Sequence, residues 1–157
     1  MIEQIYNYFT IEILYYWVNF GVLPFWLILI FFPQSNLSRY FVTSIFPILL
    51  LSGAYIFMLY KSYLGSYEFL SNFDLYLNIS YLSNLFSNEN FLIIFWIHFV
   101  SINLFTGGWI VKDSQKFGIS KIILFLPLVI TYLIGPLGIL IYWIIRIFYA
   151  KRINLYD

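Results

Sequence analysis

Four long apolar runs set the terms for this chain: Ile11 to Phe32, Phe41 to Tyr63, Phe91 to Val111 and Ile119 to Tyr149. Each reaches the roughly 20 mostly apolar residues that a helix needs to cross a hydrocarbon core. A segment inside lipid must satisfy its own backbone groups, which leaves helices or closed barrels, and runs of this length favour helices. The expected fold is therefore all-α: a polytopic integral membrane protein with about four transmembrane helices, one helical domain over residues 1–157. The charge content agrees. Only 10% of the 157 residues are charged, against about 25% in soluble domains.

Each run carries its own interruptions. The first holds Gly21 and Pro24 and closes at Pro33-Gln34-Ser35-Asn36. The second contains Pro47 and Gly53, with Lys61 near its end, and the third is closed by Lys112-Asp113-Ser114-Gln115-Lys116. The fourth is the longest, and at 1.5 Å per residue it would reach roughly 45 Å, beyond a core of about 30 Å. It must tilt, kink at Pro136, or extend past the membrane. Between the second and third runs, Leu70, Phe73, Leu77, Tyr81 and Leu85 recur at helical spacing, with Asp74, Asn78 and Asn84 elsewhere. Either an interfacial amphipathic helix or a plain loop fits that stretch. Asn78-Ile79-Ser80 matches a glycosylation triplet, a match common by chance in an Asn-rich chain.

Lys61, Arg146, Lys151 and Arg152 would lie on the side of the termini, and Arg39, Lys112, Lys116 and Lys121 on the other. These balance under the positive-inside rule, and the three lysines of the third connection tip the expectation toward termini outside. The net charge of +1 gives no footprint for nucleic acid, and the absence of cysteine excludes disulfides, thiolate nucleophiles and iron–sulfur clusters. The 24% of aromatic residues accompanies a bias toward Ile, Asn and Lys typical of AT-rich coding, so it is no functional sign.

Ionisable groups at membrane depth are costly and default to functional candidates. Glu12 is placed most simply at the first interface. Arg146 follows Tyr142 and precedes Tyr149, a spacing suited to cation–π packing or snorkelling. His98 is the single histidine, deep in the third run. Alone it cannot supply paired haem ligands or a zinc site, and no metal or other cofactor is expected. At 100° per residue, His98, Asn103, Thr106 and Asp113 fall within an arc of about 140°, expected to face the bundle interior. On the fourth helix Gly135, Gly138, Tyr142 and Arg146 share a stripe that would pack against the third helix. Phosphate loops, His-Glu-x-x-His pairs and nucleophile elbows are absent from the sequence.

The stretch His98-Phe99-Val100-Ser101-Ile102-Asn103-Leu104-Phe105-Thr106-Gly107-Gly108-Trp109-Ile110-Val111-Lys112-Asp113 resembles the third helix of the abscisic-acid-deficiency type of membrane protein. Gly118-Ile119-Ser120 and Gly135-Pro136-Leu137-Gly138-Ile139-Leu140-Ile141-Tyr142 also look like that family, and Pro24-Phe25-Trp26 with Pro33 echoes its first helix. Two positions depart: Asn103 stands where the family usually has Asp, and Gly108 where it usually has Arg, as if an ion pair had been removed as a unit. The resemblance implies a role in carotenoid or related isoprenoid metabolism, in plants the opening of a xanthophyll epoxide to an allene on the way to neoxanthin. Such an isomerisation needs a general acid at the epoxide oxygen and a base at the neighbouring carbon. His98 can serve as either, whereas Asn103 cannot be a base.

His98 is thus the catalytic candidate, and Asn103, Thr106, Trp109, Asp113, Tyr142 and Arg146 are expected to line a ligand pocket. Gly107, Gly108, Gly135, Pro136 and Gly138 form the structural motif. Expected partners are the lipid bilayer, a carotenoid or other apolar isoprenoid, and other membrane proteins. The expected location is a bacterial inner membrane, or a plastid membrane in a eukaryote. A non-enzymatic subunit or assembly factor of a larger membrane complex is the rival reading.

Overall fold

The structure is a computed structural model, described over residues 9–64 and 76–154. Among the described residues it is all-helical, with no strand. The described residues form six α-helices, in order: α1 Ile11–Phe31, α2 Phe46–Leu64, α3 Ile79–Phe86, α4 Glu89–Lys116, α5 Lys121–Leu133 and α6 Gly135–Ala150. A π-helical turn, Ser38–Val42, precedes α2 and closes with Thr43 N–H donating to Ser38 O at 2.9 Å. Among the described residues, three segments are long and apolar enough to cross a membrane: Ile11–Phe31, Ser38–Ser62 and Glu89–Lys116. Their outward residues include Trp17, Phe20, Ile45, Leu49, Ile102 and Phe105. So many large apolar side chains on the outside are anomalous in water and ordinary in lipid. The protein is a helical membrane protein.

The helix ends follow local chemistry. Thr10 Oγ1 accepts from Ile13 N–H at 3.3 Å and Glu12 lies in the first turn of α1, where a negative charge meets the positive helix end. Pro33, which has no N–H to donate, stops α1 from continuing. Asn88 Oδ1 accepts from the N–H groups of Asn90 and Phe91 and opens α4. At its far end Gly118 takes φ +62° and Ile119 N–H reaches back to Ser114 O at 3.0 Å, the bond pattern of a Schellman stop. The polar run Lys112–Lys116 therefore belongs to α4, five residues past the expected end of the third apolar run. Short polar residues do not break a helix; the left-handed glycine does.

The fourth apolar run differs from the single helix expected. It breaks at Ile134 (φ −140°, ψ 84°) into α5, 13 residues, and α6, 16 residues, each shorter than a hydrocarbon core of about 30 Å. Pro136 explains the place, because it sits in the first turn of α6, where its missing N–H costs nothing. Leu137 and Gly138 donate to Ile134 O at 3.1 Å. The corner is tight: a Cβ on Gly138 would collide with Thr131 Oγ1 and the Thr131 backbone. Thr131 is itself fully buried and donates to Pro127 O at 2.7 Å.

The segment between the second and third runs contains a helix, α3, opened by Asn78, whose side chain accepts from Ser80 N–H at 3.1 Å. No residue of α3 is buried, and Phe86 packs on Phe91 and Phe95 with centroids at 5.5 and 4.7 Å. Leu70, Phe73 and Asp74 lie outside the described residues.

The helices group into two compact units. The first comprises Met1–Gly21 and Leu50–Phe99, the second Val22–Leu49 and Val100–Asp157. In the first, Leu14, Val18, Leu51, Met58, Ile93, Ile94 and Ile97 form the core. In the second, Val22, Trp26, Leu29, Leu104, Ile110, Val111, Leu124 and Leu128 do so.

Candidate functional site

The second unit holds a buried polar cluster built from the ends of α4 and α6. Asp113 and Arg146 are 4% and 1% exposed. Arg146 Nε donates to Asp113 Oδ2 at 2.6 Å and Nη2 donates to Oδ1 at 3.4 Å, so the guanidinium grips the carboxylate with two nitrogens. Tyr142 Oη donates to the same Oδ2 at 2.7 Å. Arg146 Nη1 donates to Asn154 O at 2.9 Å, and its guanidinium lies 4.8 Å from the Phe117 ring centroid and 4.9 Å from that of Trp143. Arg152 also faces the Phe117 ring, at 5.4 Å.

This arrangement follows from helical phase. Gly135, Gly138, Tyr142 and Arg146 are the buried residues of α6, the same stripe the sequence marks out. Trp109, one turn before Asp113 on α4, meets Tyr142 edge-on at 5.7 Å and 87°. A buried charge must be paired and hydrogen-bonded to be tolerated, and here both charges are. Asp113 accepts three donors. A carboxylate so engaged is a structural clamp, and a poor general base. Of the two readings of Arg146, cation–π packing holds, with Phe117 and Trp143 as the rings, and snorkelling does not, because the guanidinium is buried. The missed signal was an acid near the end of α4 and the lone base of α6, at facing stripe positions.

The other nominated residues separate into three groups. Asn103 is 4% exposed and its Nδ2 has no hydrogen-bond partner. Its Oδ1 is so near Gly135 that a Cβ there would overlap it. Gly107 lets the Trp26 indole approach α4, since a Cβ would fall 2.7 Å from Cη2. Trp26 in turn meets Tyr132 at 5.3 Å. Gly108 is different, because a Cβ would come no closer than 4.0 Å to Thr43. Beside it lies a cavity of about 240 Å³, lined by Val42, Thr43, Leu104, Phe105, Trp109 and Lys112 among others. Thr106 is half-buried. Asn103 and Gly108 thus have different neighbours, Gly135 and Thr43.

His98 does not share the inward face expected of it. It belongs to the first unit, is exposed, and stands in an outward row with Phe95, Ile102 and Phe105. The Tyr55 ring lies beside it, at 6.4 Å between centroids. The 140° arc read from the sequence is therefore too wide to be one buried face. Its Asn103 and Asp113 positions are inside and its His98 position is not. Among the described residues, no group of three or more His, Cys, Asp or Glu side chains is placed to hold a metal ion.

No solved structure matches the chain. Protein ABA DEFICIENT 4, chloroplastic, from Arabidopsis thaliana, is 27% identical over 116 residues, which cover 68% of this chain and 52% of that protein. The chain thus aligns with about half the length of that relative. The family model for ABA DEFICIENT 4-like proteins matches residues 13–142, a span running from α1 through the Gly135–Pro136–Gly138 corner to Tyr142. The chain belongs to the ABA DEFICIENT 4-like family.

Proposed function

We propose that this protein binds a carotenoid or a related apolar isoprenoid within the membrane, taking one end ring of the ligand into the cavity beside Gly108. The observation that carries the reading is that cavity, on the stretch of α4 where the family resemblance is densest. Its volume of about 240 Å³ is below the roughly 300–1,000 Å³ of sites that enclose a whole small ligand. It suits a single ring, with the polyene left in lipid. Val42, Ile48, Leu104, Phe105 and Trp109 offer an apolar wall, and Lys112 a donor for a ring oxygen. The natural setting of such a protein is a bacterial inner membrane or a plastid membrane.

Isomerisation is the further step that the family resemblance suggests. It requires a proton to move onto oxygen and off carbon. Asp113 is committed to Arg146 and Tyr142, and Asn103 has no basic lone pair to offer. His98, whose imidazole can donate or accept a proton, is the residue on which an isomerase activity would rest.

Co-expression in a carotenoid-producing host tests the proposal. Pigment is expected to co-purify with the protein in mild detergent, and Gly108→Phe, which fills the cavity, is expected to strip it. An unchanged pigment profile together with colourless protein would overturn the reading. A stoichiometric partner protein in place of pigment would support the second reading, a non-enzymatic subunit or assembly factor. The large exposed aromatics Tyr16, Trp17, Phe20 and Tyr40 favour that alternative.

A further inference from the structure

The first unit contains a second opening, unrelated to the cavity beside Gly108. It is a groove of about 430 Å³ between the first turns of α1 and α4, lined by Glu12, Tyr15, Tyr16, Glu89, Leu92 and Trp96. Its aromatic wall is held in place. Trp96 Nε1 donates to Asn19 Oδ1 at 3.2 Å, and Asn19 Nδ2 donates to Tyr15 O at 2.7 Å. The Tyr15 ring lies 6.1 Å from that of Trp96 and 5.9 Å from that of Tyr16. Among the described residues, neither Glu12 nor Glu89 is in an ion pair; the one salt bridge joins Arg146 and Asp113.

Two unpaired carboxylates across an aromatic wall present a definite chemistry. The positive ends of α1 and α4 each contribute about half a charge, so two carboxylates leave the groove with a net charge of about −1. That charge matches one monovalent cation. A hard divalent ion seeks about six or more oxygen ligands, which two carboxylates do not supply. A π face within about 6 Å favours a weakly hydrated organic cation over a small hydrated one. Apolar Leu92 and Ile93 complete a surface for methyl or methylene groups. Both helices begin here, so the groove lies where an apolar segment meets the polar interface, the level at which aromatic side chains collect.

From the aromatic wall and the two free carboxylates we infer that this groove binds an organic ammonium group, such as the trimethylammonium of a choline headgroup. Glu12 and Glu89 supply the charge, and Tyr15, Tyr16 and Trp96 supply the π faces. The site is independent of isoprenoid binding and uses none of the same residues.

The test uses the full chain purified in maltoside micelles, which carry no ammonium group. Saturation-transfer NMR is recorded on the methyl protons of choline at constant ionic strength. A saturable transfer is expected, with affinity reduced about tenfold in the double variant Glu12→Gln, Glu89→Gln and about threefold in Tyr16→Leu. Both substitutions fall on exposed positions, and an unchanged circular dichroism spectrum confirms that the helices persist. Absence of transfer, equal transfer to the double variant, or full competition by equimolar sodium would overturn the inference. Nanodiscs with equal phosphatidylcholine and phosphatidylglycerol then locate the source. Selective retention of the choline lipid identifies a headgroup, and choline binding without lipid selection identifies a soluble amine; either outcome supports the site.

Discussion

The two ends of α4 treat a polar side chain in opposite ways. Near its start, His98 stands on the outward row with Phe95, Ile102 and Phe105. Near its end, Asp113 is buried and receives hydrogen bonds from Tyr142 and Arg146. Both are polar residues of the same helix, so polarity alone does not say which turns inward. What distinguishes them is whether an opposing element brings a partner. Asp113 is met by the α6 stripe, whose Tyr142 and Arg146 complete its coordination. His98 is met by the Tyr55 ring, at 6.4 Å between centroids, and among the described residues by no charged side chain. Asn103 is intermediate, inside but with its amide nitrogen unpartnered.

Three substitutions would break or sharpen this contrast. Asp113→Ala should have the largest effect, because it strands a buried guanidinium; loss of one partner of such a pair costs about 3–5 kcal/mol. Thermal unfolding in detergent should show a large fall, and the double variant Asp113→Leu, Arg146→Met should recover most of it. A mild single variant would mean the pair is solvated. Asn103→Leu should change stability by about 1 kcal/mol or less, with recovery of the unpartnered amide offsetting the altered shape. A loss comparable to that of Asp113→Ala would show that Asn103 is a hidden structural partner. His98→Ala should be smallest, within about 0.5 kcal/mol as at other exposed positions, while abolishing any isomerase activity that the protein displays.

Much of the architecture was legible in the sequence, for an identifiable reason. In lipid the backbone has few options, so apolar length alone names the helices. The α6 stripe could be read because small and polar residues alternate with bulky apolar ones at helical spacing. Gly135, Gly138, Tyr142 and Arg146 differ visibly from Leu137, Leu140 and Ile144 between them. The face occupied by His98 was not legible, because α4 is apolar on its inward and outward sides alike, Ile97 and Val100 against Ile102 and Phe105. A helix greasy all round carries no directional signal. Helix limits failed for a different cause. Charged residues were read as the end of α4, but the stop is set by the backbone angle of Gly118. A kink at Pro136 is one of three ways the sequence offers to fit the overlong run, and the break falls two residues earlier, at Ile134.

The bond from Arg146 Nη1 to the carbonyl of Asn154 has a practical corollary. It fastens the strand leaving α6 to a guanidinium that is sealed from solvent, so the exit point of the polypeptide is fixed by a polar latch and not by where the greasy sequence runs out. A topology reporter should therefore be joined beyond this residue. Cutting the chain at Ala150 would leave the guanidinium short of one acceptor, and the resulting readout would describe a loosened helix end in place of the native orientation.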